Sequence, residues 1–89
     1  MATWLKTDGA RVEVQPKDGR AFVLEELQSM VGGYIELVMI PGMNEVFVNK
    51  DGLAMGLPYN LAAIMLYDIR IVGNAVVVTK QESEAMRQE

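Results

Sequence analysis

The chain predicts an α+β domain, a small and mostly antiparallel sheet carrying two short helices in the order ββ-α-ββ-α-β. Three observations carry this expectation. Two pairs of β-prone runs are joined by the turn dipeptides Asp8-Gly9 and Pro41-Gly42, and each pair is followed by a stretch that carries helical signals. The last apolar run, AVVVT, is a four-residue apolar β run of the kind that belongs in the middle of a sheet.

The elements follow in order. Thr3 to Thr7 leads through Asp8-Gly9 into ARVEVQP, where Val12 and Val14 alternate with Arg11, Glu13 and Gln15. Period-two alternation predicts a half-buried strand, and Asp-Gly a hairpin turn. Pro16 ends the strand and Lys17-Asp18-Gly19 makes a second turn. AFVLEELQSMVGG then sets Val23, Leu24, Leu27, Met30 and Val31 at helical spacing, with Glu25 and Glu26 near the positive end of the helix dipole. Gly32 or Gly33 supplies a left-handed cap. The glycines imitate a phosphate-cradling loop, but such loops precede a helix and these follow one.

YIELVMI, the Pro41-Gly42 turn with Met43-Asn44, and EVFVN form a second hairpin, with Val46 and Val48 on one face and Phe47 and Asn49 on the other. Lys50-Asp51-Gly52 is a turn rather than a calcium loop, because the remaining ligands and the distal glutamate are missing. LAMGLPYN reads as a loop or short edge strand, Asn60 starts a second helix over LAAIMLY, and DIRIVGN leads to AVVVT. Residues 1–79 make one domain. The polar tail KQESEAMRQE, residues 80–89, is expected to be frayed helix or disorder.

Composition narrows the function classes. At 89 residues the chain is 51% hydrophobic and 22% charged, more apolar side chain than a small domain easily hides, which points to self-association. No apolar run reaches the roughly 18 to 20 residues of a membrane span, and the N-terminus lacks the form of a secretory signal. A cytoplasmic protein is expected. Net charge is −4 and the eight basic residues are dispersed, which argues against a nucleic-acid polymer as partner. A single nucleotide needs only backbone amides and one or two arginines.

The second helix has no polar side chain from Leu61 to Tyr67. A helix lying on a sheet needs an apolar stripe on one side only, so Leu61, Ala62, Ile64 and Met65 are expected to meet another subunit, a two-fold dimer being the default. The plainer alternative leaves Ala62 and Ala63 exposed to water.

There is no histidine and no cysteine. The common routes to general-base catalysis, nucleophile activation and transition-metal binding are therefore closed. Glu36, Glu45, Asp51 and Asp68 remain, at no spacing that pairs two of them for acid–base work. Neither enzymatic activity nor a cofactor or metal is expected. Seven methionines, Met30, Met39, Met43 and Met55 among them, fit gap-filling in a core or an adaptable surface.

The runs LEELQSMVGGYIELV, FVNKDGLAMGLPYN and IVGNAVVV resemble a family of domains of unknown function widespread in bacteriophages, plasmids and other mobile elements, and the resemblance covers roughly Val12 to Thr79. Its recurring elements fall on Leu24 to Gln28, Val31 to Glu36, Asn49, Asp51, Gly52, Leu57, Pro58, Asn60, Ile71, Gly73 and Asn74. Family members often carry polar residues just after the asparagine, whereas Leu61 and Ala62 follow here, which favours burial. The resemblance implies a small accessory protein of counter-defence or host-modulating type. Such a protein acts by sequestering a nucleotide-type signalling molecule or by blocking a host protein. The alternative is a structural or regulatory subunit of a larger complex. For sequestration, the expected contacts are Tyr34, Asn49, Pro58, Tyr59, Asn60, Arg70 and Asn74, with a base stacked on a tyrosine.

GLPYN, residues 56–60, carries both readings. Gly56 permits a bend, Pro58 holds Leu57 extended, Asn60 caps the helix by accepting from Ala62 or Ala63, and Tyr59 and Ile64 make a staple. The same helix start could also face an anion at a subunit junction.

Overall fold

The computed structural model describes residues 2–17, 19, 22–39 and 44–79. Strands β1 (Ala2–Leu5), β2 (Arg11–Val14), β3 (Ile35–Met39), β4 (Asn44–Asn49) and β5 (Ala75–Thr79) and helices α1 (Leu24–Val31) and α2 (Leu61–Tyr67) follow one another as ββ-α-ββ-α-β, the α+β order expected. The expected turn at Pro41-Gly42, Asp18 of the second turn and the tail over residues 80–89 lie outside the described residues.

The five strands make one sheet in the order β2-β1-β5-β4-β3, every neighbouring pair antiparallel. Asp8-Gly9 turns β1 into β2. Gly9 donates to the Lys6 carbonyl at 3.0 Å, Lys6 to that of Ala10 at 2.9 Å, and the Asp8 carboxylate accepts from the Ala10 amide at 2.9 Å.

β5 sits in the middle, as its composition requires. Alternate residues of each strand face opposite sides of the sheet. Ala75 and Val77 join Leu5, Val46, Val48, Ala62 and Ala63 on the α2 side, and Val76 and Val78 join Ala2, Phe22, Leu27, Val31 and Phe47 on the α1 side. The sheet therefore has a core on each face. Val46 and Val48 lie on one side and Phe47 on the other, as alternation predicts.

α1 is fastened at both ends. The Glu26 carboxylate accepts from the Val23 amide at 3.2 Å and from Lys17 at 3.1 Å, satisfying two donors near the helix start. Gly32 is the left-handed cap at φ 81°, and its amide and that of Gly33 both donate to the Gln28 carbonyl. Trp4 Nε1 donates to the Met30 carbonyl at 3.1 Å, pinning the helix to β1, and Lys6 Nζ lies 4.3 Å from the centre of the Trp4 ring. Leu27 and Val31 are buried, but Val23 and Leu24 of the expected stripe are exposed. Phe22, just before the helix, fills the core there instead.

α2 corrects one expectation. Ala62 and Ala63 are the helix's buried residues, at 1% and 0% exposure, while Leu61, Met65 and Leu66 are exposed and Ile64 is half-buried. Ala62 therefore packs in the chain's own core rather than standing on the outer side of the helix, and neither alanine lies in water. The two alanines fill the space between the helix and the sheet, and Leu61, Met65 and Leu66 are turned outward. Asp68 ends the helix at φ 54°, its amide donating to the Ile64 carbonyl at 3.0 Å.

The segments on either side of α2 pair with each other. Asn60 donates to the Ile71 carbonyl and Gly73 to that of Pro58, both at 2.8 Å, with a bridge between Tyr59 and Val72. LAMGLPYN is thus a series of turns ending in a one-bridge strand.

Candidate functional site

Three asparagines tie the loops at one end of the sheet together. Asn60 is wholly buried. Its Oδ1 accepts from Ala63 at 3.0 Å, the expected cap, while its Nδ2 donates to the carbonyls of Leu5 and Gly73, each at 2.9 Å. Asn49 is also buried. Its Nδ2 donates to the Val31 carbonyl at 3.2 Å and lies 3.6 Å from Met55 Sδ, and its Oδ1 accepts from Asp51 at 2.8 Å. Asn74 Oδ1 accepts from the Thr7 amide at 3.1 Å.

Close approaches complete this junction. A Cβ on Gly52 would fall 2.7 Å from Val72 Cγ2, and one on Gly73, whose φ is +77°, would fall 2.8 Å from Leu57 Cδ1. The runs containing Gly33, Asn49, Gly52, Leu57, Asn60 and Gly73 therefore converge in space as a scaffold. Two of the expected ligand contacts are corrected here. The Asn49 and Asn60 amides are buried and committed to backbone groups, so neither side chain is available to a ligand.

The other expected contacts divide. Tyr59 and Arg70 come together on the α2 side, at a groove of about 350 Å³ whose apolar floor includes Val38, Val48 and Ile71 and whose walls carry Glu36, Lys50 and Leu53. Pro58 and Asn74 line a separate groove of about 300 Å³ beside the end of α1, with Trp4, Met30, Met55 and Leu57. Asn49 borders both. Tyr34, 69% exposed, lines neither; its carbonyl accepts from Lys50 at 2.8 Å.

The α2-side groove holds more varied chemistry. It offers the exposed Tyr59 ring, the cationic groups of Arg70 and Lys50 and the carboxylate of Glu36 over an apolar floor. Such a set can stack a flat ring, hold an anion and accept hydrogen bonds from ring amines or sugar hydroxyls. Lys50, Leu53, Val38 and Glu36 line this groove without being among the contacts that the sequence suggests. Period-two alternation in β3 and β4 places Glu36 and Val38 on the face of Val48 and Lys50, but their nearness to Arg70 depends on the fold of the loop after α2. Among the described residues no three His, Cys, Asp or Glu side chains are grouped to hold a metal ion, and no helix is long and apolar enough to cross a membrane.

A family model described as "Domain of unknown function (DUF3846)" matches residues 4–88, beyond both ends of the stretch from Val12 to Thr79 that carries the sequence resemblance. No curated protein and no solved structure gives a significant match.

Proposed function

The chain belongs to this family of domains of unknown function, and from that premise we propose that it is a small, non-enzymatic, oligomeric binding protein that takes a nucleotide-type small molecule in the α2-side groove. The observation that carries this reading is the convergence of Tyr59, Arg70 and Lys50 around the floor of Val38, Val48 and Ile71. A base stacks on Tyr59, and the phosphate is held by the planar fork of Arg70 and the ammonium of Lys50. Glu36 accepts from a base amine or ribose hydroxyl. A groove of about 350 Å³ falls in the range of roughly 300 to 1,000 Å³ common for small-ligand sites. The non-catalytic part of the reading rests on the lack of histidine and cysteine in the sequence.

A counter-defence or host-modulating role in the cytoplasm of a host cell, by sequestration of a signalling nucleotide, follows from the resemblance to proteins of phages and mobile elements. Isothermal titration calorimetry against a panel of cyclic and linear nucleotides tests the reading. Saturable binding to at least one is expected, and uniformly flat heats would remove it.

The exposed Leu61, Met65 and Leu66 of α2, with the exposed Leu53, favour a second reading, in which this side blocks a host protein or docks in a larger complex. Pull-down from host lysate then recovers a stoichiometric protein partner, and that recovery fails when Met65 is replaced by glutamate.

A further inference from the structure

The two edges of the sheet are built differently. Lys6 donates to Ala10 in the register that pairs Leu5 with Arg11, so in β2 the backbone groups of Arg11 and Glu13 point away from β1. Both outward positions of that edge are charged, and Pro16 follows it, features that deter further pairing. At the opposite edge, Lys50 donates to Tyr34 in the register that pairs Ile35 with Asn49. In β3 the outward-pointing backbone groups are therefore those of Ile35, Leu37 and Met39. All three side chains are apolar, with Leu37 39% and Met39 66% exposed, and among the described residues nothing pairs with this edge.

We infer that β3 is a homodimer contact, in which the β3 edges of two copies of this chain pair antiparallel about a two-fold axis at Leu37. Outward groups must meet outward groups, so a register centred on Leu37 sets Leu37 against Leu37 of the second copy and Ile35 against its Met39. Every outward N–H and C=O of the described strand then finds a partner, which makes the edge self-complementary, as a two-fold interface requires. The facing side chains on the α1 side are apolar pairs of the kind that stabilise antiparallel strands. The result is a ten-stranded continuous sheet. Glu36 and Val38 line the α2-side groove, so the pairing puts the two grooves on the same face, next to each other across the two-fold. The inference does not depend on what fills the groove, and flat nucleotide titrations leave it standing.

The chain has no cysteine, so a single one reports the contact. Residues in a bonded antiparallel pair have Cα atoms about 5.5 Å apart, inside the roughly 4.4–6.8 Å span that a disulfide accepts. Leu37→Cys is expected to form a disulfide-linked dimer under mild oxidation, while Met65→Cys on α2 stays unlinked. Light scattering should give about twice 9.9 kDa for the natural chain. Leu37→Pro, which removes an N–H that the monomer does not use, should give a monomer with unchanged circular dichroism. If that variant does not fold, Met39→Lys, at an exposed position, reads the same loss. A natural chain that runs as a 9.9 kDa monomer, a dimer that survives these β3 substitutions, or linkage as ready through Met65→Cys as through Leu37→Cys would overturn the inference.

Discussion

Asn60 and Leu5 are 55 positions apart, yet the Asn60 side-chain amide donates to the Leu5 carbonyl at 2.9 Å from a site with no solvent exposure. With its bonds to Gly73 and Ala63, this one side chain joins β1, the start of α2 and the approach to β5.

Replacing Asn60 with alanine removes a helix cap worth about 1 kcal/mol and two further buried hydrogen bonds, each worth about 0.5–1.5 kcal/mol. A loss of about 2–4 kcal/mol in urea unfolding is expected. Asn60→Asp separates the roles. It keeps the cap acceptor but sets a carboxylate against two carbonyl oxygens, so it should destabilise at least as much as alanine; a near-neutral Asn60→Asp would show that capping is all the residue does.

Gly73→Ala combines two penalties. A left-handed residue other than glycine costs roughly 1–2 kcal/mol, and the new Cβ would stand 2.8 Å from Leu57 Cδ1, an overpacking of roughly 1–3 kcal/mol. In a Leu57→Ala background only the second penalty should disappear. A double-mutant cycle in chemical denaturation therefore predicts a coupling of at least about 0.5 kcal/mol, and simple additivity would contradict the contact.

The inner side of α2 should be intolerant and its outer side permissive. Ala63→Leu has no room against the sheet and is expected to lose about 1–3 kcal/mol. Met65→Gln, at 80% exposure, should change stability by less than about 0.5 kcal/mol. Thermal melts of the two variants check the contrast.

At the groove, Arg70→Ala and Tyr59→Ala should each weaken nucleotide binding by about tenfold or more, near 1.4 kcal/mol, with the melting temperature unchanged because both side chains are exposed. Pro58→Ala, in the other groove, should leave affinity as it was. Calorimetry on the three proteins discriminates the two grooves.

The elements were legible because each has a local signature: alternation in RVEV, helical spacing in LEELQSMV and an unbroken apolar run in AVVV. The direction of α2 was not. An all-apolar helix does not show which side lies inward, since every side could be buried, and here the inward positions are those of Ala62 and Ala63. Asn49 and Asn60 stood out as polar groups near turns, which a ligand site and a buried junction share. What separates the two is their acceptors, the carbonyls of Val31 and Leu5, lying 18 and 55 positions away. Nothing local announces a distant carbonyl. Tyr59 and Arg70 were legible as binding groups, but their partnership with Lys50 and Glu36 follows from strand register and the return of the loop after α2.

β5, the last of the described strands, lies between β1 and β4, and each of them is hydrogen-bonded to it. On a ribosome, both hairpins and both helices are made before the strand that joins them. Until β5 arrives, β1 and β4 each present an open inner edge and half of a core on either side. The domain therefore has no native sheet to assemble piecemeal during synthesis, and folding awaits a single late insertion whose contacts span most of the chain, a route that is slow by its topology. A premature stop ahead of Val76 would leave two hairpins with nothing to join them, a species suited to aggregation or degradation rather than to partial function.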